Sequence, residues 1–195
     1  MGVIVQTSDV SREGSGGSIM RAALKFATLR HAGQCREVDG APFINHPMEV
    51  GRLLDRDGQP EEVVAAGLLH DLLEKTATTS AELRRRFGVR VARLVESVSD
   101  DPSIWDYGAR KRELRDRVAH GGPGTVAIFT ADKISKAREL ALLSPSQLHG
   151  PDARAKLDHY VASLAMLRRV DEGSALDDRL GAELTRLLSG VASDS

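Results

Sequence analysis

Residues 65–76 read AAGLLHDLLEKT, an apolar helical stretch that would be plain core but for the ionisable pair His70-Asp71 at its middle. Adjacent positions on a helix differ by about 100°, so the two side chains can flank one point in space without sharing a face. A carboxylate without compensation is costly to bury on such a helix, so Asp71 requires a cation, a proton or a hydrogen-bond donor.

Two other places pose the same problem. Asp132 lies within GTVAIFTADKISK, residues 124–136, a second mainly apolar helix, and His46 stands beside Pro47 at a helix start. Two imidazoles and two carboxylates offer a borderline divalent cation four N/O ligands and leave room for water or substrate. Spacing alone also fits a plainer reading. Asp71 has Lys75 one turn on and Asp132 has Lys136 one turn on, so both carboxylates can be i,i+4 ion pairs worth about 0.2–0.5 kcal/mol.

The remaining punctuation is helical. Residues 11–17, SREGSGG, read as a flexible lead-in, and from Ser18 a period of three to four residues runs almost to the end. Helices are predicted from Ser18 to about Ala32, from His46-Pro47 to Asp57-Gly58, and from Pro60 through the His70-Asp71 stretch. Thr79-x-x-Glu82 reads as a capping box for a short helix ending at Phe87-Gly88. Further helices are predicted over Val89–Ser99, Asp106–Ala119, Gly124–Leu143, Pro151–Val170 and Ala175–Leu188. The fold class is therefore all-α, a compact bundle of roughly nine helices. It comprises a lead-in over 1–17, one domain over 18–190 and a tail over 191–195. Aromatics are only 4%, so Leu, Ala, Val and Ile must build the core by close helix packing.

Composition removes several function classes. With 27 Lys+Arg against 28 Asp+Glu the net charge is −1, which argues against a dedicated nucleic-acid binder. No apolar run approaches the ~20 residues that span a bilayer, and mean hydropathy is −0.25, so no membrane partner is expected. The amino terminus lacks a secretory pattern, and the single cysteine, Cys35, cannot form an internal disulfide. A reducing, cytoplasmic location is expected. Arg84, Arg85, Arg86, Arg90 and Arg93 read as a solvated helix face.

Local words narrow the function. The chain carries HAGQCR at 31–36, PFINHP at 42–47, LLHDLLEKT at 68–76, RFGVRVARLVESVSDD at 86–101 and ADK at 131–133. In this order they resemble the HD metal-dependent phosphohydrolase superfamily, and within it the RelA/SpoT-type alarmone hydrolase domain, with the stand-alone small alarmone hydrolases similar in size. The resemblance spans about Ala22 to Leu140. It implies His46, His70, Asp71 and Asp132 as ligands of one divalent metal, usually manganese. It implies Arg36 against the substrate's base, Glu74 handling the attacking water, and Lys111 and Arg112 near substrate phosphate. The implied activity is hydrolysis of the 3′-pyrophosphate of ppGpp, a small-molecule nucleotide substrate. Fewer than 60 residues follow Leu140, so no synthetase domain is expected. The oligomeric state is not legible.

The chain departs from the family words at two cations. Lys75 stands where a second acid is usual, and ADKISK replaces a word ending in asparagine, placing Lys136 there and Ser135 before it. Each lysine can pair with its aspartate, hold substrate phosphate as an ammonium does, or face solvent. Alternative functions are therefore hydrolysis of another nucleotide or a silent nucleotide-binding module. His31 reads as structural, Cys35 as buried or incidental, and His120, His149 and His159 as solvent-facing. Tyr160 reads as core more readily than as a cover for the pocket mouth. The GGPG run at 121–124 is a turn, not a P-loop.

Overall fold

The structure, a computed structural model, describes residues 16–193. The lead-in expected over 1–17 lies outside the described residues except for Gly16 and Gly17, which open the first helix. Ten helical segments follow: α1 Gly16–Arg30, α2 Asn45–Arg56, α3 Glu61–Leu69, α4 Leu72–Lys75, α5 Ser80–Val98, α6 Tyr107–Ala119, α7 Pro123–Leu140, α8 Pro145–Leu148, α9 Pro151–Val170 and α10 Ala175–Ser193. Among the described residues the only β pairing is an isolated bridge between Cys35 and Pro42. No described helix is long and apolar enough to cross a membrane.

Helix α3 is the hub. Every residue from Val63 to Leu69 is buried, as expected of a helix apolar all round, and it packs against α1, α2, α5 and α7. Its crossing with α2 is close because glycine stands on both sides. A Cβ on Gly67 would lie 2.3 Å from Leu54 Cδ1, and one on Gly51 would lie 2.7 Å from Leu68 Cδ2. α7 is the second central helix, with Thr125–Ser135 buried throughout, and α10 and α9 cover its far side.

Several helix ends follow their caps. Asp106 Oδ1 accepts from the Ala109 amide at 2.7 Å, and Thr79 Oγ1 accepts from Glu82 N at 3.2 Å. The reciprocal arm of that capping box is absent, because the Glu82 carboxylate binds Arg30 and Arg86 instead. Gly88 has φ 86°, so the break expected there is a kink that the chain crosses within α5.

Several boundaries differ from expectation, among them the end of α10, which runs to Ser193 rather than Leu188 and so into the tail expected over 191–195. α3 stops at Leu69, leaving His70 and Asp71 at its junction with α4 rather than inside a continuous helix. α7 ends at Leu140 rather than Leu143, and a capping box at Ser144 and Gln147 opens the short α8. The Arg84–Arg93 face is exposed as read, with Arg84, Arg86 and Arg90 paired to Glu96, Glu82 and Glu62.

Candidate metal centre

α2 delivers His46 from its first turn, the α3–α4 junction delivers His70 and Asp71, and α7 delivers Asp132. His46 Nε2 lies 3.2 Å from His70 Nε2. Asp132 Oδ1 lies 3.1 Å from the first imidazole and 3.4 Å from the second, and Asp71 Oδ2 lies 3.4 Å from each. All four residues are buried.

Hydrogen bonding explains why these atoms face one another. His70 Nδ1 is 2.8 Å from the Gly67 carbonyl, which can only accept, so Nδ1 carries the proton and Nε2 keeps its lone pair. His46 Nδ1 is 2.9 Å from Ser135 Oγ, which likewise leaves Nε2 pointing inward. Asp71 Oδ2 is buried with no hydrogen-bond partner. Asp132 Oδ1 also lacks a well-directed hydrogen bond, although Lys136 Nζ stands 3.0 Å away as an ion-pair partner.

Buried, mutually facing acceptors are unstable without a cation. Around one cation with bonds near 2.1 Å, adjacent donors stand about 3.0–3.5 Å apart, which is the spacing found here. The donor set fits a divalent ion.

The fields agree. Burial alone would raise both aspartates, but His70 and Lys136 beside Asp71, and Lys133 and Lys136 beside Asp132, hold the two carboxyls below their usual range. Burial opposes charge on His46, yet Asp132, Glu139 and Asp71 outweigh it and lift the imidazole to about 9.

The centre opens on a cavity of about 740 Å³. Of the site residues expected from the sequence, Arg36, His46, Asp71, Glu74, Lys75, Lys111 and Lys136 line it; His70 and Asp132 are buried behind the wall, and Arg112 is exposed on α6 away from it. Lys75 makes no ion pair with Asp71; its ammonium sits 5.2 Å from the Phe43 ring centroid. Lys111 Nζ is 2.7 Å from Asp100 Oδ2, and Arg36 is held by Asp39. Glu74 Oε1 accepts from the Asp100 amide at 2.8 Å, which pins the carboxylate to the wall.

Other readings need correction. His159 is buried, not solvent-facing, and lines the cavity with Tyr160, which is core and wall at once. Burial and the nearby Lys133, Lys111 and Arg115 depress the His159 pKa to about 2. Its Nδ1 accepts from Arg115 Nη1 at 2.7 Å. Cys35 is exposed and also lines the cavity. His31 is structural as read, buried with Nδ1 2.7 Å from Gln34 Oε1. Lys133 was missed: it is buried, pairs with Asp132 Oδ2 and lies 4.4 Å from the Phe129 ring centroid. A signal existed, since a lysine inside an apolar helix needs a partner as much as an aspartate does.

The family model described as HD domain matches residues 23–117. The chain is 37% identical over 136 residues to the Mus musculus guanosine-3′,5′-bis(diphosphate) 3′-pyrophosphohydrolase MESH1, covering 68% of this chain and 75% of that one. The Homo sapiens MESH1 protein is 37% identical over 135 residues, with the same coverage. A solved structure described as a metazoan ortholog of SpoT that hydrolyzes ppGpp has the same fold, with TM-score 0.75 at 24% identity over 93% of this chain and 99% of that one. By identity and coverage, this chain belongs to the MESH1 family of HD-domain proteins.

Proposed function

We propose that this protein is a divalent-metal-dependent phosphohydrolase that removes the 3′-pyrophosphate of ppGpp, giving GDP and pyrophosphate. The observation that carries the reading is the convergence of His46 Nε2, His70 Nε2, Asp71 Oδ2 and Asp132 Oδ1 at the base of a cavity that His46 and Asp71 line together with lysines, Arg36 and several carboxylates. The names of the mouse and human relatives support the substrate. Mixed imidazole and carboxylate donors suit a borderline ion, and manganese is the proposed occupant. When bound, it supplies Lewis acidity toward a phosphoryl oxygen and acidifies water.

The chain's own residues supply the remainder. Glu74, pinned at one oxygen by the Asp100 amide, keeps its other oxygen to orient the attacking water and take its proton. Lys75, Lys111 and Lys136 hold phosphate oxygens; an ammonium does so as a compact charge that needs no fixed approach. Arg36, whose guanidinium is braced by Asp39, lies against the base. The exposed, unpaired Cys35 suits a cytoplasmic setting.

The test is pyrophosphate release from ppGpp with Mn2+, with Asp71→Ala as the blank. Metal-dependent release absent from the blank is the expected result. No release from folded, metal-loaded protein would move the activity to another nucleotide. No release and no metal uptake would leave a silent nucleotide-binding module.

A further inference from the structure

The two imidazoles of the centre are aimed by different means. His70 is set by the backbone of its own helix, through the Gly67 carbonyl. His46 is set by a line of side chains leading away from the cavity. Its Nδ1 lies 2.9 Å from Ser135 Oγ, and Ser135 Oγ lies 2.8 Å from Glu49 Oε2. Glu49 Oε1 accepts from Arg138 Nη1 at 2.7 Å, and Arg138 Nε donates to Glu183 Oε1 at 2.7 Å. The line joins α2, α7 and α10.

Counting protons gives it a direction. Glu49 bears an arginine on one oxygen, so it is ionised and can only accept. Ser135 is fully buried, and its single hydroxyl proton goes to Glu49. The serine oxygen is then an acceptor toward His46, so Nδ1 is the nitrogen that holds its proton in the relay, and Nε2 is the one left to face the cation.

Glu139 Oε1 also lies near Nδ1, at 3.4 Å, but it is farther and faces Arg36 at 3.5 Å. Ser135 and Glu49 both lie three residues after a proposed ligand, His46 for Glu49 and Asp132 for Ser135. The relay therefore closes the α2–α7 contact behind the site.

We propose that Ser135 and Glu49 are positioning residues, which fix the tautomer of His46 and aim its Nε2 at the cation, with Arg138 and Glu183 of α10 holding Glu49 in place. The inference rests on the metal centre proposed above. Hydrogen-bond partners of metal-ligating histidines typically govern affinity by about 10–100-fold. Ser135 thus has a role that its departure from the family word did not disclose.

The experiment titrates the full chain with Mn2+ alone, reading the free ion by electron paramagnetic resonance, with metal-free melting curves as a folding control. Ser135→Ala should weaken binding about 10–100-fold, while Ser135→Thr, which keeps the hydroxyl, should restore it to within about threefold of the native chain. Glu49→Leu, at a partly buried site, should also weaken binding, with its metal-free melting curve as the folding control, and Glu49→Gln, which retains an acceptor for the serine, should weaken it less. If Ser135→Ala and Glu49→Leu both bind within twofold of the native chain while Asp71→Ala loses the ion, the relay is overturned and the metal centre stands. If Asp71→Ala binds as the native chain does, the centre is overturned and the relay with it.

Discussion

Lys136 Nζ stands 3.0 Å from Asp132 Oδ1, the same oxygen that faces both imidazole Nε2 atoms at 3.1 and 3.4 Å. The two unusual lysines therefore differ in their contacts, since Lys75 leaves Asp71 alone and rests on Phe43. A cation on a ligand oxygen competes with a metal for that oxygen's charge. Lys136→Asn should tighten Mn2+ binding about tenfold, the equivalent of 1.4 kcal/mol, whereas Lys75→Asp should leave binding nearly unchanged if its ammonium stays on the ring. Calorimetric titration of both variants reads the difference directly, and equal effects would contradict it.

Removing the ion should be visible in stability. Four buried donors with no cation repel or go unpaired, and a ligand that binds only the folded state at a hundredfold excess over Kd adds about 2.7 kcal/mol. For a chain of this size that is about 5–10 °C in Tm. Chelator should lower the Tm of the native protein by that amount and leave His70→Ala and Asp71→Ala where they already are. A chelator-insensitive native melting curve would count against the centre.

The glycine contact between α2 and α3 makes a sharper structural prediction. Gly67→Ala drives a methyl into Leu54 and within 3.3 Å of Val50 Cγ1, and both neighbours are fully buried. Overpacking of this kind costs about 1–3 kcal/mol. Because α2 carries His46 and α3 delivers His70, the helices cannot part without spreading the imidazoles. Gly67→Ala should lose metal affinity as well as stability, and a variant that melts lower yet binds Mn2+ normally would show that the crossing does not set the site.

Asp177 gives the pH prediction. Its carboxyl is buried at the start of α10, and burial lifts its pKa to about 6. Its neighbour Thr130 has one hydroxyl proton for two acceptors, the Val126 carbonyl at 2.9 Å and Asp177 Oδ1 at 3.3 Å. A carboxyl whose folded pKa lies above its unfolded value of 3.8 costs nothing below that value. The cost grows as pH rises from about 4 to about 6 and is constant above. Asp177→Asn should therefore match the native chain near pH 4 and exceed it at pH 7 by up to about 3 kcal/mol, with an amide N–H that can donate to the threonine oxygen. Urea melts at the two pH values test this, and an equal difference at both would refute it.

The ordered words His31–Arg36, Pro42–Pro47, Leu68–Thr76 and Ala131–Lys133 are enough to expect four residues from three separated stretches as one cluster, and the structure does bring His46, His70, Asp71 and Asp132 together. Helical punctuation was legible wherever a cap or glycine enforced it, as at Asp106 and Gly88. The end of α3 at Leu69 was not, because its residues are apolar on both sides of the break and no Gly or Pro marks it. His159 reads as solvent-facing because Lys156 and Asp158 stand just before it in sequence, while its burial depends on α9 lying across α7, a relation local periodicity does not encode. Ser135 and Glu49 look ordinary in sequence; only their meeting across 86 residues gives them a role.

Helix α9 does double duty. The same helix that places His159 and Tyr160 on the cavity also sends Met166 and Leu167 into the core. The four proposed ligands all precede it, so a change of substrate preference made on α9 leaves the ion's cage chemically untouched. Such a change is still read by the whole bundle, because the helix cannot shift without disturbing α7 beneath it. Substitutions on the α9 wall are thus felt by the fold, as those at the ligands carried by α3 and α7 are, and variants with new preferences are expected to be found first among those already stabilised elsewhere.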